Sequence, residues 1–302
     1  VEDLIMRVFV TGATGFVGSA IVKELLAGGH KVAGLTRSDA GAKALAAAGA
    51  QVHRGSLEDL ESLRRGAAEA DGVIHTAFNH DFSKWKENCE ADRRVIETLG
   101  SALKGSERLL IVTSGTGLLQ PGRLAVETDQ HFSGPNAHPR VASEEAAASV
   151  ASRGVRVAIV RLPPSVHGEG DHGFVPLLIG IARDKGVAAY VGDGLNRWPA
   201  VHRLDAAAAY RLVLEKGASG RYHAVAEEGV RFREIAEAIG RQLKLPVVAK
   251  SADEAGAHFG WFALFASGDL PASGRQTQEQ LKWRPSQQGL ISDLDQGHYF
   301  KG

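Results

Sequence analysis

The sequence predicts an α/β fold, a doubly wound parallel sheet with helices on both faces, followed by a smaller C-terminal α+β lobe. Three observations carry that prediction. Short β-rich apolar runs alternate with segments of helical period through the first half of the chain, as parallel strands joined by crossover helices require. Glycines cluster at the first strand-to-helix turn, in "VTGATGFVG". The alternation breaks after Leu162, at "PPSVHGEGDHG", beyond which helices mix with short strands.

In order, the strands read as "RVFVTG" (7–12), "KVAGLTR" (31–37), "AQVHRG", "GVIHTA" (72–77), "RLLIVTS" (108–114) and "VRVAIVRL" (155–162). Between the first two lies "FVGSAIVKELLAGG", whose apolar residues recur at i, i+3 and i+4 and whose last turn ends in Gly28 and Gly29, a helix stop. The Ala-rich stretches "AKALAAAGA" and "EEAAASVAS" are helix formers rather than linkers. In the second half, "FVPLLIGIARDKG", "DAAAAYRLVLEKG" and "RFREIAEAIGRQL" are helical, a C-terminal pair surrounds Glu279 and Leu290, and "GRYHAVA" (220–226) returns to the sheet. The expected division is a first domain over 6–162 with a returning segment near 201–226, and a substrate lobe over 163–200 and 227–302. No internal repeat is present, and "VEDLI" ahead of Met6 reads as extra sequence before the natural start.

Composition narrows the function classes. A chain of 302 residues, 44% hydrophobic, can bury the core of one large domain with a lobe. Lys plus Arg and Asp plus Glu are both 35, and no basic run exceeds a pair such as Arg64-Arg65 or Arg93-Arg94, which argues against nucleic acid or an anionic membrane as partner. Cys89 is the only cysteine, so an internal disulfide is excluded and a reducing cytoplasm is expected. No stretch approaches the roughly 20 apolar residues of a membrane span.

The glycine-rich loop is the first chemical signal. Gly12, Gly15 and Gly18 follow the first strand and open the first helix. In that setting one glycine makes the tight turn, one admits a pyrophosphate to the backbone, and one lets helix and strand pack closely. The helix N-terminus then turns free N–H groups toward the phosphates, which points to a dinucleotide.

"TGATGFVG", "GVIHTAF" and "IVTSGTG", with "VRLPPSVHGEGD" and "VGDGLNRWPAVHRLDAAAAYRLVLE" further on, resemble the extended short-chain dehydrogenases/reductases over nearly the whole chain. That superfamily includes nucleotide-sugar epimerases and dehydratases and dihydroflavonol-reductase-like enzymes. The resemblance implies a Rossmann-type fold, a nicotinamide dinucleotide and a homodimer paired through two helices beside the sheet. It implies cofactor contacts from Gly12, Thr14, Gly15, Phe16, Val17 and Gly18 in the loop. Further contacts are implied from Ser56 and Leu57 beside the adenine, from Thr76, Ala77 and Phe78 after the fourth strand, and from Pro163. Ser56 stands where the family usually has aspartate.

The dinucleotide is chosen at the end of the second strand. An acid there would accept the ribose hydroxyls, and a cation would pair with a 2'-phosphate. "GLTRSD" offers Thr36 in the acid's place, then Arg37 and Ser38, with Lys43 nearby. NADP(H) is the expected cofactor, and Asp39 keeps NAD(H) open.

In the family, a Ser or Thr at the end of the fifth strand binds the substrate oxygen, and Tyr-x-x-x-Lys follows on the next long helix. Ser114 fits the first role. Counted onward, the tyrosine falls in "NAHPRVASEEAA" on His138 and the lysine on Ala142. A tyrosine, with a pKa near 10, needs a neighbouring cation to move a proton at neutral pH. A histidine near 6.5 does not, and a lysine four residues on would repel its imidazolium. Pro139 favours a first helical position, which places His138 at the N-cap, where the helix end keeps the imidazole neutral. If the helix starts later, Arg140 reaches the ribose or the substrate. The sequence resembles an atypical branch of the family in which basic residues replace Tyr and Lys.

Asn79, His80 and Phe82, at the carboxyl edge after the fourth strand, and Thr116, His167 and His172 are candidate pocket residues. Asp171 and His172 do not make a metal site without a third ligand, and His202 is expected to tie lobe to sheet. "HFGWFALFASGDLPASG" (258–274) spaces Phe259, Phe262 and Phe265 as core or subunit interface. The function expected is NADPH-dependent reduction of a small carbonyl substrate, with Ser114, His138 and Arg140 at the catalytic centre. The alternatives are a catalytically silent NADP(H)-binding sensor and, on fold analogy alone, a sugar-nucleotide epimerase or dehydratase.

Overall fold

The computed structural model describes residues 5–134 and 137–301. Val1 to Leu4, within the segment read as extra sequence, and Asn136, at the head of "NAHPRVASEEAA", lie outside the described residues. The first half consists of β1 (Arg7–Thr11), α1 (Phe16–Ala27), β2 (Lys31–Thr36), α2 (Asp39–Ala47), β3 (Gln51–Arg54), α3 (Leu60–Ala68), β4 (Gly72–His75), α4 (Trp85–Leu103), β5 (Leu109–Gly115), α5 (Val141–Ser152) and β6 (Arg156–Leu162). There follow β7 (Ser165–His167), α6 (Phe174–Lys185), β8 (Ala188–Val191), β9 (Arg197–His202), α7 (Arg203–Lys216), β10 (Gly220–His223), β11 (Glu227–Arg231) and α8 (Phe232–Leu243). The chain ends with β12 (Val247–Lys250), α9 (Ala252–Phe259), α10 (Ala263–Ser267), α11 (Arg275–Leu281) and α12 (Leu290–Asp295).

Seven strands form one parallel sheet in the order β10-β6-β5-β4-β1-β2-β3. Its central strands are covered on both faces, as the wholly buried runs Val8 to Val10 and Leu110 to Val112 show, which is why they read as unbroken apolar stretches. Strand order reverses between β1 and β4, and in such sheets the crevice at that switch point, outside the carboxyl ends, receives the ligand. The segment 220–226 does return to the sheet, where β10 lies parallel to β6. Helix α7 closes the same layer, its Ala206, Ala209 and Tyr210 sharing a core with Ile21 and Leu25 of α1.

Beyond the sheet, β11-β9-β7 and β12-β8 make two small sheets. Trp198, Phe232, Phe262, Leu178, Ile239 and Leu290 form their common core. Phe259 and Phe262 are core residues, as their helical spacing predicts, whereas Trp261 and Leu264 stay 53% and 80% exposed. Among the described residues, no helix is long and apolar enough to cross a membrane.

Candidate active site

The crevice at the switch point is shaped by what its glycines allow. Gly12 has φ +68°, and a Cβ there would sit 2.7 Å from the Ala77 nitrogen, so only glycine lets the loop lie against the end of β4. A Cβ on Gly18 would collide with the Gly12 carbonyl oxygen. Thr76 fastens the two strands by donating its hydroxyl to the Thr11 carbonyl at 2.8 Å. Gly15 caps α1 without a side chain, and Thr14 and Gly15 are exposed. The first-turn N–H groups, those of Phe16 and Val17 among them, therefore have no side-chain acceptor and suit a pyrophosphate. The cradle fits a dinucleotide.

At the other end of the crevice, Thr36 is buried and Arg37 and Ser38 are exposed at the end of β2. Ser38 caps α2 by accepting the Gly41 N–H at 3.0 Å. Asp39, the acid that kept NAD(H) open, is paired with Arg54 at 2.5 Å. Arg54 is in register with Thr36, so the end of β3 brings a second guanidinium to this corner, which the sequence reading missed. Ser56 accepts the Glu58 N–H at 3.3 Å; its hydroxyl is the largest of the effects holding the Glu58 carboxyl below its ordinary value, and Arg37 adds to it. Leu57 packs partly against the core.

The ends of β5 and α5 differ from the expected arrangement. Ser114 is 5% exposed and donates its hydroxyl to Glu144 Oε1 at 2.6 Å. Arg161, wholly buried, grips both oxygens of that carboxylate at 2.7 Å. Burial alone would raise the Glu144 carboxyl, but Arg161 and the Ser114 hydroxyl outweigh it and hold the group below the usual range. Ser114 thus faces inward and does not offer its hydroxyl to a substrate. Among the described residues, the buried Thr116 hydroxyl, in a residue 2% exposed, has no hydrogen-bond partner.

Helix α5 begins at Val141 with Arg140 as its N-cap, later than a helix capped by His138 would begin. Pro139 lies in a tight turn before the helix, where Val141 N–H bonds the His138 carbonyl at 3.0 Å. The residues one helical turn apart at the end of β5 are consequently Arg140 and Glu144. Ala142, counted into the lysine's place, is 2% exposed in the interior. Arg140 bonds Asp92 Oδ2 at 2.6 Å and the Thr113 carbonyl at 3.2 Å, and its guanidinium lies 4.0 Å from the centre of the Phe78 ring.

Beneath it runs a buried chain of hydrogen bonds. The Thr11 hydroxyl meets His75 Nδ1 at 2.7 Å, His75 Nε2 meets Asp92 Oδ1 at 2.9 Å, and the Ser143 hydroxyl donates to Asp92 Oδ2 at 2.5 Å. Asp92 is pushed up by burial but held below its ordinary value by Arg140 and His75. The chain fixes Arg140, and the Arg140 backbone N–H in turn donates to His138 Nδ1 at 3.2 Å. Burial and the charge of Arg140 lower the His138 pKa. With Nδ1 accepting, the neutral ring carries its proton on Nε2. The Trp85 indole meets that ring edge-on at 5.6 Å.

The remaining candidates separate. His80 is exposed, with its ring 5.1 Å from that of Phe78, and Asn79 Oδ1 accepts the Asp81 N–H at 3.1 Å within the loop. His172 is exposed at the mouth, its ring 5.8 Å from Phe16, over which Arg203 lies at 4.8 Å. His167 does not line the pocket: it is wholly buried and bonded to Asp293 at 2.8 Å, joining β7 to α12. Pro163 is buried directly after β6, and His202 caps α7 through the Leu204 N–H at 3.3 Å. Among the described residues, no three His, Cys, Asp or Glu side chains are placed to hold a metal.

Reading by motif missed His75, Asp92, Ser143, Glu144 and Arg161. One signal was available: an arginine at the end of "VRVAIVRL", in a strand covered on both faces, must find a carboxylate. Nothing local marks Asp92 as the counterpart for Arg140.

Comparison with known proteins shows the family and the fold. The sequence profile of the NAD dependent epimerase/dehydratase family matches residues 8–226. An uncharacterized protein of Schizosaccharomyces pombe is 52% identical over 297 residues, covering 98% of this chain and 100% of the relative. The 4-hydroxy-2-methyl-3-oxo-4-farnesyl-3,4-dihydroquinoline-1-oxide ketoreductase of Stigmatella aurantiaca is 27% identical over 283 residues, 88% of this chain and 84% of the relative. The UDP-glucose 4-epimerase of Thermus thermophilus, solved in complex with NAD, superposes with a TM-score of 0.75 at 24% identity, covering 98% of this chain and 99% of that one.

Proposed function

This chain belongs to the NAD dependent epimerase/dehydratase family, and from that premise we propose that it is an NADPH-dependent reductase of a small ketone, aldehyde or related C=X substrate, with His138 in the place of the family's tyrosine. The observation that carries this reading is the orientation of His138: a neutral imidazole whose Nδ1 accepts the Arg140 N–H and whose Nε2–H has no partner among the described residues. Bound NADPH supplies the hydride that adds to the carbonyl carbon. The glycine cradle and the start of α1 hold the pyrophosphate. The His138 Nε2–H donates a hydrogen bond to the carbonyl oxygen and stabilises the charge that develops there as hydride adds, and water delivers the proton that completes the alcohol. Ser114 acts from below, through Glu144, on the placement of α5. The ketoreductase relative supports a carbonyl substrate.

NADPH is favoured over NADH by the absence of an acid at Thr36 and by Arg37 and Arg54 beside it. Arg37→Ala is expected to weaken NADPH binding by about tenfold or more, with NADH affinity unchanged, in a fluorescence titration. Equal losses for both cofactors would show that Arg37 does not read the 2'-phosphate.

The proposal is tested by titrating NADPH and NADH and then following nicotinamide absorbance across a panel of carbonyl compounds. Turnover of a ketone or aldehyde with NADPH is expected. A second reading, an NADP(H)-binding sensor without turnover, draws on the internal engagement of Ser114 and Arg140. Tight NADPH binding with no reduction of any carbonyl would favour it.

A further inference from the structure

Arg203 opens α7, and its side chain is held on three sides. Nη1 donates to the Glu169 carbonyl at 2.8 Å, and the guanidinium lies 4.8 Å from the centre of the Phe16 ring, at the start of α1. The turn after β7 closes on the stem: a Cβ on Gly168, which has φ +134°, would sit 3.1 Å from Arg203 Cγ. Tyr299 fixes that turn, its hydroxyl accepting the Gly168 N–H and donating to Asp171 Oδ2, each at 3.0 Å. Among the described residues, no carboxylate pairs with the guanidinium. Burial works against its charge, and the Glu169 carboxylate offsets only part of that from a distance.

The same mouth gathers further cations. The His172 ring meets Phe16 edge-on at 5.8 Å. His80 reaches solvent, yet burial is the largest effect lowering its pKa, followed by the charges of Arg140 and His172. That combination belongs to a side chain inside a cleft, with Arg140 and His172 on the walls around it. The acids of these segments are engaged: Asp92 holds Arg140 and His75, and Asp171 holds Tyr299 and the Gly173 N–H. Fixing an arginine costs about 2 kcal/mol of rotamer entropy, and its planar fork matches a carboxylate in bidentate fashion. An arginine fixed without an internal acid leaves that fork to an external one. The glycine cradle already offers N–H groups to the cofactor's phosphates, so the external acid falls to the substrate. We infer that Arg203, with His172 beside it, forms an anion subsite at the mouth of the crevice, and that the carbonyl substrate carries a carboxylate which this fork takes while the carbonyl is turned to His138. This rests on the reductase reading for the carbonyl, but capture of the acid does not require turnover.

The test uses the protein saturated with NADPH. Rates are measured for 4-oxopentanoate, 5-oxohexanoate and 6-oxoheptanoate, each against its methyl ester. Binding of pentanoate, which has no carbonyl to reduce, is compared with that of pentanamide by ligand-observed nuclear magnetic resonance. At least one oxo acid is expected to exceed its ester in kcat/KM by about tenfold or more, the worth of a charge-assisted bond. Arg203→Leu, which keeps a stem against Gly168, is expected to erase that preference by raising KM for the acid, with the ester's kcat/KM and NADPH affinity unchanged. Arg203→Lys, which keeps the charge without the fork, is expected to restore part of it. Equal kcat/KM for acid and ester at every length, or a preference that survives Arg203→Leu, would overturn the subsite while leaving carbonyl reduction intact. A fall in NADPH affinity in Arg203→Leu would also overturn it and give the guanidinium to the cofactor's diphosphate. Pentanoate binding that depends on Arg203, in a protein that reduces no carbonyl, would sustain the subsite and sink the reductase reading.

Discussion

Replacing His138 with alanine is expected to lower kcat for carbonyl reduction by about 10²- to 10³-fold, the range set by removing one preorganised hydrogen-bond donor to a developing oxyanion. NADPH affinity is expected to stay the same, because the pyrophosphate cradle lies on β1 and α1 and shares no side chain with the turn before α5. The bond from the Arg140 N–H to Nδ1 adds a second arm. His138→Gln keeps an N–H donor without a titrating ring, so it is expected to retain more activity than His138→Ala if polarising the carbonyl oxygen is the main contribution. Unchanged kcat in the alanine variant would remove His138 from the mechanism. Loss of NADPH binding together with activity would mean that the substitution had disturbed the cradle.

Arg161→Leu is expected to have the largest effect on stability. It leaves the Glu144 carboxylate, in a residue only 3% exposed, without its bidentate partner, a change that costs about 3–5 kcal/mol when one member of a buried pair is removed. For a chain of this size that corresponds to a fall in Tm on the order of 10 °C, read by calorimetry or circular dichroism. The pH dependence follows from the direction of the Glu144 shift. In the natural protein its folded-state pKa lies below the ordinary 4.5, so its contribution is present above that value and lost as pH falls through the folded-state pKa. Without Arg161, burial dominates and the carboxyl rises, so the variant's deficit is expected to be greatest near neutral pH and to shrink on acidification. A deficit that does not vary with pH would assign it to lost packing instead of an uncompensated charge.

Several parts of the fold follow from local rules and were readable without coordinates. "VFVTGATGFVG" required a strand, a tight turn and a helix start whatever surrounded it, because Gly12 adopts φ +68° and Gly18 leaves no room for a side chain. The central sheet strands were legible because strands buried on both faces must be apolar throughout, whereas the edge strands β3 and β10, only partly buried, were read from their place in the alternation of strands and helices. Other features depended on a residue or two of register. Counting from the family's spacing put the tyrosine and lysine places on His138 and Ala142; with α5 starting at Val141, His138 lies in the turn before the helix, and Arg140 and Glu144 stand one turn apart at the end of β5. Helix ends fray by a residue or two, so whether α5 starts at Pro139 or at Val141 was not fixed by the local sequence.

By itself, then, the sequence determined the parallel sheet, the glycine cradle at its switch point and the basic corner at Arg37, since backbone sterics, apolar periodicity and charge at a strand end are properties of adjacent residues. Only the tertiary structure decided which polar groups serve the site. It turned Ser114 toward Glu144 and left the Thr116 hydroxyl without a partner among the described residues. It joined Thr11, His75, Asp92 and Arg140 behind His138 and laid Trp261 on Phe82. Those pairings join residues far apart in the chain. They are selected because a buried charge or donor must find a partner wherever packing places one, a condition that no local stretch of sequence records.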